Sequence, residues 1–441
     1  MKTPVVDFAR RYAAGDALRL HMPGHKGQPV LGAEPWDLTE IPGADSLYES
    51  AGILRESEEN AGQLYGCPTF YSAEGSSLAV RAMVYLACRW AMERGKRPKI
   101  AAARNVHRTF VTAAALLDVA LQWLSGAGES HLRCTLDPAA VEAALEADVT
   151  ALYCTSPDYL GHTQDIAGLA ALCRRRGILL LVDGAHGAYL RFLPQSRHPM
   201  DLGADLCCAS AHKTLPVLTG GAYLHIAAAH GDLTAQAKGA LALFGSTSPS
   251  YLILESLDAC NGLLASDYPR QLAAFLPRTA ALQARLQAMG WQLTGDEPLK
   301  LTLCPKARGY TGEEAAAYLQ EAGIFSEFAD PDYLVLMLTP ALGEAALERL
   351  EQALAALPPR APLCETPPPC PVGPARLTPR QALFALREQM AVENALGRVL
   401  ADVQVSCPPA VPIAVCGEEL TAQALAAFRY YGVERVWVVR P

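Results

Sequence analysis

The fold is decided by two stretches, ILLLVDGAHGAYL at residues 178–190 and ADLCCASAHKTLPVLTGG at residues 204–221. Each begins with a run of apolar residues, which is typical of a strand that is buried on both faces of a parallel sheet. Asp183 ends the first run, and Lys213 follows the second run closely. Ligands of open α/β sheets bind outside the carboxyl ends of the strands. The two stretches therefore predict that Asp183 and Lys213 face one ligand-binding crevice.

The same alternation of strand-like and helix-like segments extends over residues 70–230. Apolar, extended runs occur at 99–103, 149–157 and 220–226. A helical pattern at 137–148 starts with Asp137 and Pro138, and another at 165–177 ends in three arginines and a glycine. A cap residue with proline after it favours a helix start, and basic residues with a glycine favour a helix end. We therefore predict an α/β domain with a mainly parallel sheet.

The remainder of the chain has a different pattern. From about residue 265, helix-like segments at 271–290 and 313–323 alternate with strand-like segments at 300–304 and 333–340. Eight of the seventeen residues from 358 to 374 are proline, which excludes regular structure there. Thr378 and Pro379 then start another helix. We predict five parts, which are residues 1–60, a large domain 61–264, a small α+β domain 265–357, a linker 358–377 and a C-terminal module 378–441.

Composition excludes several classes of protein. The chain has 441 residues, 51% of them hydrophobic, and a formal net charge of -8. No basic stripe is present to bind nucleic acid, and no apolar run suits a membrane span or a signal peptide. We therefore expect a cytoplasmic protein that binds neither nucleic acid nor membrane. The 13 cysteines lack zinc-ligand spacing, so we expect reduced, buried thiols and no metal site.

Lys213 and Asp183 suit one kind of chemistry. A desolvated lysine amine can form an imine with an aldehyde, and a nearby carboxylate can keep a pyridinium nitrogen protonated. Together they suggest pyridoxal 5'-phosphate (PLP). The alternative at this point is a capping aspartate and a solvated lysine at two strand ends.

Other residues favour the cofactor. Gly75, Ser76 and Ser77 open a strongly helical stretch, and the N-terminus of a helix attracts phosphate. Ser210 and the hydroxyl-rich segment 245–251 add further donors. Three histidines, His107, His186 and His212, follow predicted strands at the same sheet edge. An imidazole there could stack on a flat aromatic ring.

Several motifs in order resemble the Orn/Lys/Arg decarboxylase family, in the aspartate-aminotransferase-like fold type I class of PLP enzymes. The resemblance covers almost the whole chain, and its motifs are HMPGHKG (21–27), DLTEIPGADSL (37–47), RNVHRT (104–109), DGAHGA (183–188), SAHKT (210–214), TSPSY (247–251) and CPPAVPIAVCGE (407–418).

The resemblance implies a role for each matched residue. Lys213 would form the imine with PLP, Asp183 would pair with the pyridine nitrogen, and His107 and Ala185 would lie on opposite faces of the ring. His186 would line the substrate side. The phosphate would be held by Gly75, Ser76, Ser77, Ser210, His212 and, across the subunit boundary of a homodimer, Thr247. His212 or Lys213 would return a proton to the α-carbon. Residues 1–60 would contribute to the dimer and the active site.

The chain departs from the family pattern at positions that concern the substrate. These are Gly184, Asp158-Tyr159-Leu160-Gly161, Cys407, Ala410 and Cys416. Because the first motif already stands at residue 21, we expect a short form without the N-terminal wing domain of larger members. The substrate would be arginine, lysine or ornithine, with arginine slightly preferred. Glu327, Glu418 and Glu419 are candidates for binding its cationic tail.

Two other functions remain open. An aminotransferase or lyase of the same fold would need an arginine to clamp the substrate carboxylate. Arg278, Arg285 and Arg308 are candidates, but none lies in a motif typical of that role. A catalytically silent member of the family is the second alternative, although the lysine, aspartate and stacking histidine are all retained.

Overall fold

A computed structural model describes residues 1–128, 130–403 and 409–441 of the chain. Part of the last predicted family motif, including Cys407, lies outside the described residues. Among the residues described, no helix has the length and apolar character that crossing a bilayer requires.

The chain forms two compact units, each made from two separate stretches of sequence. The first unit contains Met1–Arg97 and Ile166–Ala273, and the second contains Pro98–Asp165 and Ala274–Pro441. The predicted division into five consecutive parts remains a prediction.

The first unit is built from helices around strands. Its elements are α1 (Pro4–Ala14), α2 (Ile53–Tyr65), β1 (Thr69–Ser72), α3 (Gly75–Glu93), α6 (Ile166–Arg176), β5 (Leu179–Asp183), β6 (Leu206–Ala209), α7 (Ala211–Thr214), β7 (Ala222–Ile226), α8 (Gly231–Ala242) and α9 (Tyr251–Leu264). Helix α10 (Tyr268–Ala288) begins in this unit and ends in the second.

The strands of the first unit lie in the order β1-β7-β6-β5. β5 and β6 are parallel, with Asp183 opposite Cys208, whereas β7 is antiparallel to both β6 and β1. β1, β5 and β6 therefore run in one direction. Every residue of β5, β6 and β7 is buried, as expected for continuous apolar runs that are covered on both faces. The predicted strands at 178–186, 204–210 and 220–226 are confirmed.

The second unit contains three sets of strands. Its elements are β2 (Lys99–Ala103), α4 (Arg108–Leu117), β3 (Ala120–Leu124), α5 (Pro138–Ala144), β4 (Ala151–Thr155), β8 (Gln292–Thr294), β9 (Lys300–Cys304), α11 (Gly312–Glu321), β10 (Phe328–Ala329), β11 (Leu334–Met337), α12 (Glu344–Ala356), α13 (Pro379–Phe384), β12 (Arg387–Ala391), α14 (Ala422–Tyr430) and β13 (Arg435–Val439).

Parallel and antiparallel pairing are segregated in the second unit. β4, β2 and β3 lie side by side and all run parallel. β10-β11-β9-β8 form an antiparallel sheet, and β12 pairs antiparallel with β13. The strands predicted at 99–103, 149–157, 300–304 and 333–340 are confirmed as β2, β4, β9 and β11. Those at 300–304 and 333–340 also confirm the predicted α+β pattern of this region.

Local sequence signals account for several helix ends. Asp137 caps α5 by accepting a hydrogen bond from the Ala140 N–H at 2.8 Å. Thr378 starts α13 with a capping box, in which Thr378 and Gln381 bond each other's backbone N–H groups. Both starts were predicted from the sequence, where a cap residue is followed by proline.

The proline-rich segment 358–374 contains neither helix nor strand, as predicted. It is nevertheless attached at defined points. The Arg360 N–H donates to the Arg308 carbonyl and the Leu363 N–H donates to the Lys306 carbonyl, both at 3.0 Å. The segment is therefore a strap along the second unit. Beyond it, the C-terminal module has its own core, which includes Leu400, Phe428, Val436 and Val438.

Candidate active site

Asp183 and Lys213 stand at the same end of two neighbouring parallel strands. Asp183 is the last residue of β5, and Lys213 lies in α7, which begins two residues after β6 ends. Parallel strands bring their carboxyl ends to one edge, so the predicted placement of both residues within the fold is confirmed.

Asp183 is 3% exposed and its side chain is held in a fixed orientation. Its Oδ1 accepts hydrogen bonds from the Ala185 N–H at 3.2 Å and from the Cys208 thiol at 3.4 Å. Burial, reinforced by the Asp183 charge, raises the pKa of Cys208, which keeps that thiol protonated as a donor. The sequence analysis predicted only reduced, buried thiols and did not predict this contact of Cys208. The contact follows from the β5–β6 register, which places Cys208 opposite Asp183.

Lys213 contacts a buried imidazole. Its Nζ lies 3.2 Å from Nε2 of His186, which is 4% exposed. Because an ammonium group only donates, Nε2 accepts this hydrogen bond. The pair allows a proton to pass between the lysine amine and the ring. Ala185 and Ser210 belong to the same cluster, since the Ser210 N–H donates to the Ala185 carbonyl at 3.3 Å.

The start of α3 lies beside α7. Gly75 has φ +70, a left-handed conformation that suits glycine, and its N–H donates to the Gly220 carbonyl at 2.7 Å. A Cβ at Gly75 would lie 4.0 Å from His212 Cε1. His212 Nδ1 is 3.0 Å from the Gly221 carbonyl, so this nitrogen carries a proton. Ser76 and Ser77 follow Gly75 in the first turn of α3, as predicted.

One hydroxyl of this cluster lacks a protein partner. Ser210 is 1% exposed, and no described residue forms a hydrogen bond with its Oγ. Buried polar atoms are normally satisfied, so this hydroxyl is suited to an external acceptor such as a phosphate oxygen. The first unit thus offers an amine, a carboxylate, a helix N-terminus and an available hydroxyl. These groups fit an aldehyde cofactor that carries a phosphate.

Two further residues were predicted to contact the cofactor, Thr247 and His107. Thr247 is exposed between α8 and α9, where it lines a pocket of about 340 Å³ with Met22 and Asp37. His107 belongs to the second unit and caps α4, because its Nδ1 accepts a hydrogen bond from the Thr109 N–H at 3.2 Å. Their roles at the cofactor therefore remain predictions.

A family model described as Orn/Lys/Arg decarboxylase, major domain, matches residues 3–295, which is more than half of the chain. The chain belongs to the Orn/Lys/Arg decarboxylase family. This confirms the predicted family and the predicted class of enzyme, an amino acid decarboxylase.

Known proteins resemble this decarboxylase along nearly its whole length. An arginine decarboxylase of Halalkalibacterium halodurans is 29% identical over 478 residues, covering 97% of this chain and 93% of that protein. An arginine decarboxylase of Bacillus subtilis is 27% identical, covering 96% of this chain and 92% of that protein. These relatives support a basic amino acid as the substrate class.

A solved structure confirms the fold. The constitutive lysine decarboxylase of E. coli superposes with a TM-score of 0.78 at 16% identity, covering 100% of this chain and 82% of that chain. The predicted α/β fold of the type I class, with a mainly parallel sheet, is confirmed by this likeness.

The carboxylates considered for the substrate tail differ in their surroundings. Glu418 is buried against Arg104, with Oε2 2.7 Å from the guanidinium, and Glu419 pairs with Arg376 at 2.7 Å. Both charges are thus already compensated. Glu327 instead accepts a hydrogen bond from the Tyr159 hydroxyl at 2.9 Å. Of the three, Glu327 is best suited to bind a cation.

The arginines considered for an aminotransferase clamp have protein partners. Arg285 binds both carboxylate oxygens of Glu351, at 2.7 and 2.8 Å. Arg308 donates to the Leu357 carbonyl at 2.9 Å, and Arg278 lies 4.0 Å from Glu344. These contacts do not favour the aminotransferase alternative.

Proposed function

We propose that this decarboxylase uses PLP to convert a basic amino acid to the corresponding amine and CO₂, with arginine preferred over lysine and ornithine. The observation that carries the proposal is the convergence of Asp183, Lys213, His186 and Ser210 at the carboxyl ends of β5 and β6. The preference for arginine is supported by the two bacterial relatives named arginine decarboxylase.

The residues that would hold PLP divide by the part of the cofactor they meet. Lys213 would bind the aldehyde carbon and Asp183 the pyridine nitrogen, while Ala185 and His107 would pack on the ring. The phosphate would be held by Gly75, Ser76, Ser77, Ser210, His212 and Thr247. When bound, PLP supplies an electron sink for the charge that remains when CO₂ leaves.

The protein's own groups prepare this chemistry. The Ala185 N–H and the Cys208 thiol hold Asp183 in one orientation, so that its carboxylate can keep a proton on the facing ring nitrogen. His186 takes a proton from Lys213 and leaves the amine neutral and nucleophilic. Lys213 or His212 then returns a proton to the substrate α-carbon. Glu327, oriented by Tyr159, binds the cationic tail.

We also propose that the chain works as a homodimer with shared active sites. Leu18, Leu20, Val30 and Leu31 are each at least 80% exposed, within a segment that contains neither helix nor strand. Several strongly exposed apolar side chains within one segment favour an association surface. Light scattering on the purified protein tests the mass. A Leu20→Asp/Leu31→Asp variant is expected to shift it toward the monomer.

Product analysis tests the reaction and the substrate together. The PLP-loaded protein is incubated separately with arginine, lysine and ornithine, and amines are identified by mass spectrometry. We expect one amine, mainly from arginine, and none from the Lys213→Ala variant. Lys96→Ala, at an exposed position of the same unit, is the control and should retain activity. Turnover by Lys213→Ala would overturn the assignment. Formation of a keto acid instead of an amine would indicate an aminotransferase.

A further inference from the structure

A second polar pocket lies entirely within the second unit. It has a volume of about 230 Å³ and is lined by side chains that include His131, Glu313, Phe328, Asp330 and Tyr431. These residues come from four separate parts of the sequence, so the fold itself creates the pocket. None of them has a role in the chemistry described above.

Three polar atoms of this pocket lack a partner. They are Nδ1 of His131, Oδ2 of Asp330 and the hydroxyl of Tyr431, and no described residue forms a hydrogen bond with any of them. His131 and Asp330 are each only 6% exposed. A buried carboxylate oxygen without a donor is costly, and native structures contain few such atoms. The arrangement indicates a ligand that donates hydrogen bonds.

The charges around the pocket have one sign. Burial, together with the carboxylates of Asp332 and Glu313, raises the pKa of Asp330 to about 7. The hydrogen bonds that Oδ1 accepts from the Asp332 and Tyr333 N–H groups lower this pKa but do not offset the increase. The Lys306 ammonium group lies 2.7 Å from Asp332 and compensates that carboxylate.

The imidazole adds no positive charge. Burial, together with the charge of Arg104, lowers the pKa of His131 to about 3, so the ring is neutral. Arg104 itself donates to Glu418 at 2.7 Å. No lysine or arginine is found among the described residues that line the pocket. The pocket is therefore complementary to a cation.

Aromatic rings form part of the wall. His131 and Tyr431 meet edge to face with their centroids 4.7 Å apart, and Phe328 lines the same space. Aromatic faces attract organic cations, and the apolar parts of such a ligand would be buried against them. The volume suits a ligand of small-molecule size.

We propose that this pocket binds a small organic cation without a carboxylate group, namely an alkyl amine or guanidine. An amino acid is disfavoured because its carboxylate would lie near Asp330 and Glu313, and no lysine or arginine is found among the described residues that line the pocket. Loss of the carboxylate as CO₂ removes this repulsion. The pocket alone supports the binding of an organic cation. That this cation is the product of the enzyme, and that the pocket senses the product, rests on the proposed function.

Calorimetry on the PLP-loaded protein tests the proposal. Agmatine and 1,5-diaminopentane are the amine probes, and 4-guanidinobutyrate is the matched probe that keeps a carboxylate. The visible absorbance of the cofactor is followed in parallel, because it reports amine at Lys213 independently of total binding. We expect calorimetry to count more bound amine molecules per chain than the number that the change in cofactor absorbance assigns to the site at Lys213. At this extra site 4-guanidinobutyrate should bind at least about tenfold more weakly than agmatine.

Two substitutions locate the extra site. Asp330→Asn keeps the acceptor for the Asp332 and Tyr333 N–H groups and removes the charge, so it should weaken the extra binding at least about tenfold without unfolding the protein. Glu313→Gln, on the surface at the start of α11, should weaken it less. Glu348→Gln removes an exposed carboxylate of α12, outside the pocket, and should bind like the unchanged protein.

The outcomes are distinct. Equal extra binding in the unchanged protein and in both pocket variants would overturn the proposal, as would the absence of any extra binding. Extra binding of Mg²⁺ in place of the amine, sensitive to Asp330→Asn, would also overturn it. If the chain produced no amine from amino acids, the proposed function would fail, yet Asp330-dependent amine binding would still support the pocket as a cation site.

Discussion

Both units of this decarboxylase bury polar groups, but the charges of these groups are balanced in the first unit and of one sign in the second. In the first unit, the Lys213 amine, the Asp183 carboxylate and neutral donors such as Ser210 lie close together. In the second unit, Asp330 has carboxylates as charged neighbours and a neutral imidazole beside it. A balanced cluster suits a cofactor and a substrate that carry both signs of charge. An unbalanced pocket suits a ligand that carries only positive charge.

A third buried carboxylate, Glu418, separates the effect of burial from the effect of charge balance. It lies in the same unit as Asp330 and is likewise buried, but Arg104 binds it directly at 2.7 Å. The charge of Glu418 is therefore neutralised by an ion pair, whereas no described basic side chain forms an ion pair with Asp330. Burial alone does not identify a binding group. Each of the two carboxylates has one oxygen without a hydrogen-bond partner among the described residues, but only Glu418 is bound directly by a cation.

The largest expected effect is a loss of activity on removal of the Asp183 charge from the first unit. Asp183→Asn keeps the acceptor for the Ala185 N–H but removes the negative charge that would hold a proton on the cofactor. We expect kcat to fall by about 10²–10⁴-fold, the usual range for losing a group that controls a proton. Steady-state kinetics measures this, with cofactor absorbance as a check of loading. Asp267→Asn, at an exposed position, is the control, and an unchanged kcat for Asp183→Asn would contradict its assigned role.

Breaking the buried ion pair between Arg104 and Glu418 should mainly reduce the stability of the protein. Arg104→Met leaves Glu418 buried without its cation, which we expect to cost about 3–5 kcal/mol in the free energy of unfolding. Urea denaturation measures this loss. The double variant Arg104→Met/Glu418→Met removes both charges and should recover a large part of it. If the double variant lost as much free energy of unfolding as the two single variants together, the loss of the ion pair would not explain the instability of Arg104→Met.

Asp330 should give the stability of the protein a pH dependence of predictable sign. Its pKa is raised from 3.8 to about 7 in the folded state, so the folded protein binds a proton more tightly than the unfolded chain does. The contribution is complete below about pH 4 and is lost as the pH rises toward about 7. Asp330→Asn should remove this decline. Urea denaturation at several pH values tests it, and an identical decline in the variant would refute it. Added agmatine should restore stability at high pH only when Asp330 is present.

The smallest effect concerns the helix that carries Glu313. Thr311 caps α11 through a capping box with Glu314, so Thr311→Ala should cost about 1 kcal/mol of stability. Thr378→Ala removes the same motif from α13, away from the pocket, and should cost a similar amount. Only Thr311→Ala should also weaken amine binding, because it loosens the turn that positions Glu313. Equal amine affinity in both variants would show that the cap is purely structural.

The sequence predicted the first unit's cluster better than the second unit's pocket. Asp183 and Lys213 each follow a long apolar run, and the rule that parallel strands share one ligand-binding edge then places them together. His131, Asp330 and Tyr431 follow no such rule. Up to 300 residues separate them, and only the folded chain brings them to one cavity.

Strand composition and strand direction limited the prediction of the fold. β1 has the sequence TFYS, without the continuous apolar run that indicated β5 and β6, and it was not predicted. The run that forms β7 was predicted as a strand, but an apolar run does not encode its direction, and β7 is antiparallel to its neighbours. The partners of Glu418 and Glu419 could not be predicted either, because both pairings join residues that are distant in the sequence.

The interleaved chain path has a consequence for synthesis on the ribosome. The first unit cannot be complete until residue 273 has emerged, and Pro98–Asp165 must then wait for Ala274–Pro441 to supply the rest of its unit. During that interval Arg104 has no Glu418, although the two are a buried pair in the finished protein. The nascent second unit therefore exposes surface for much of translation. Slowing elongation after residue 273 should lengthen this vulnerable period and increase its dependence on chaperones.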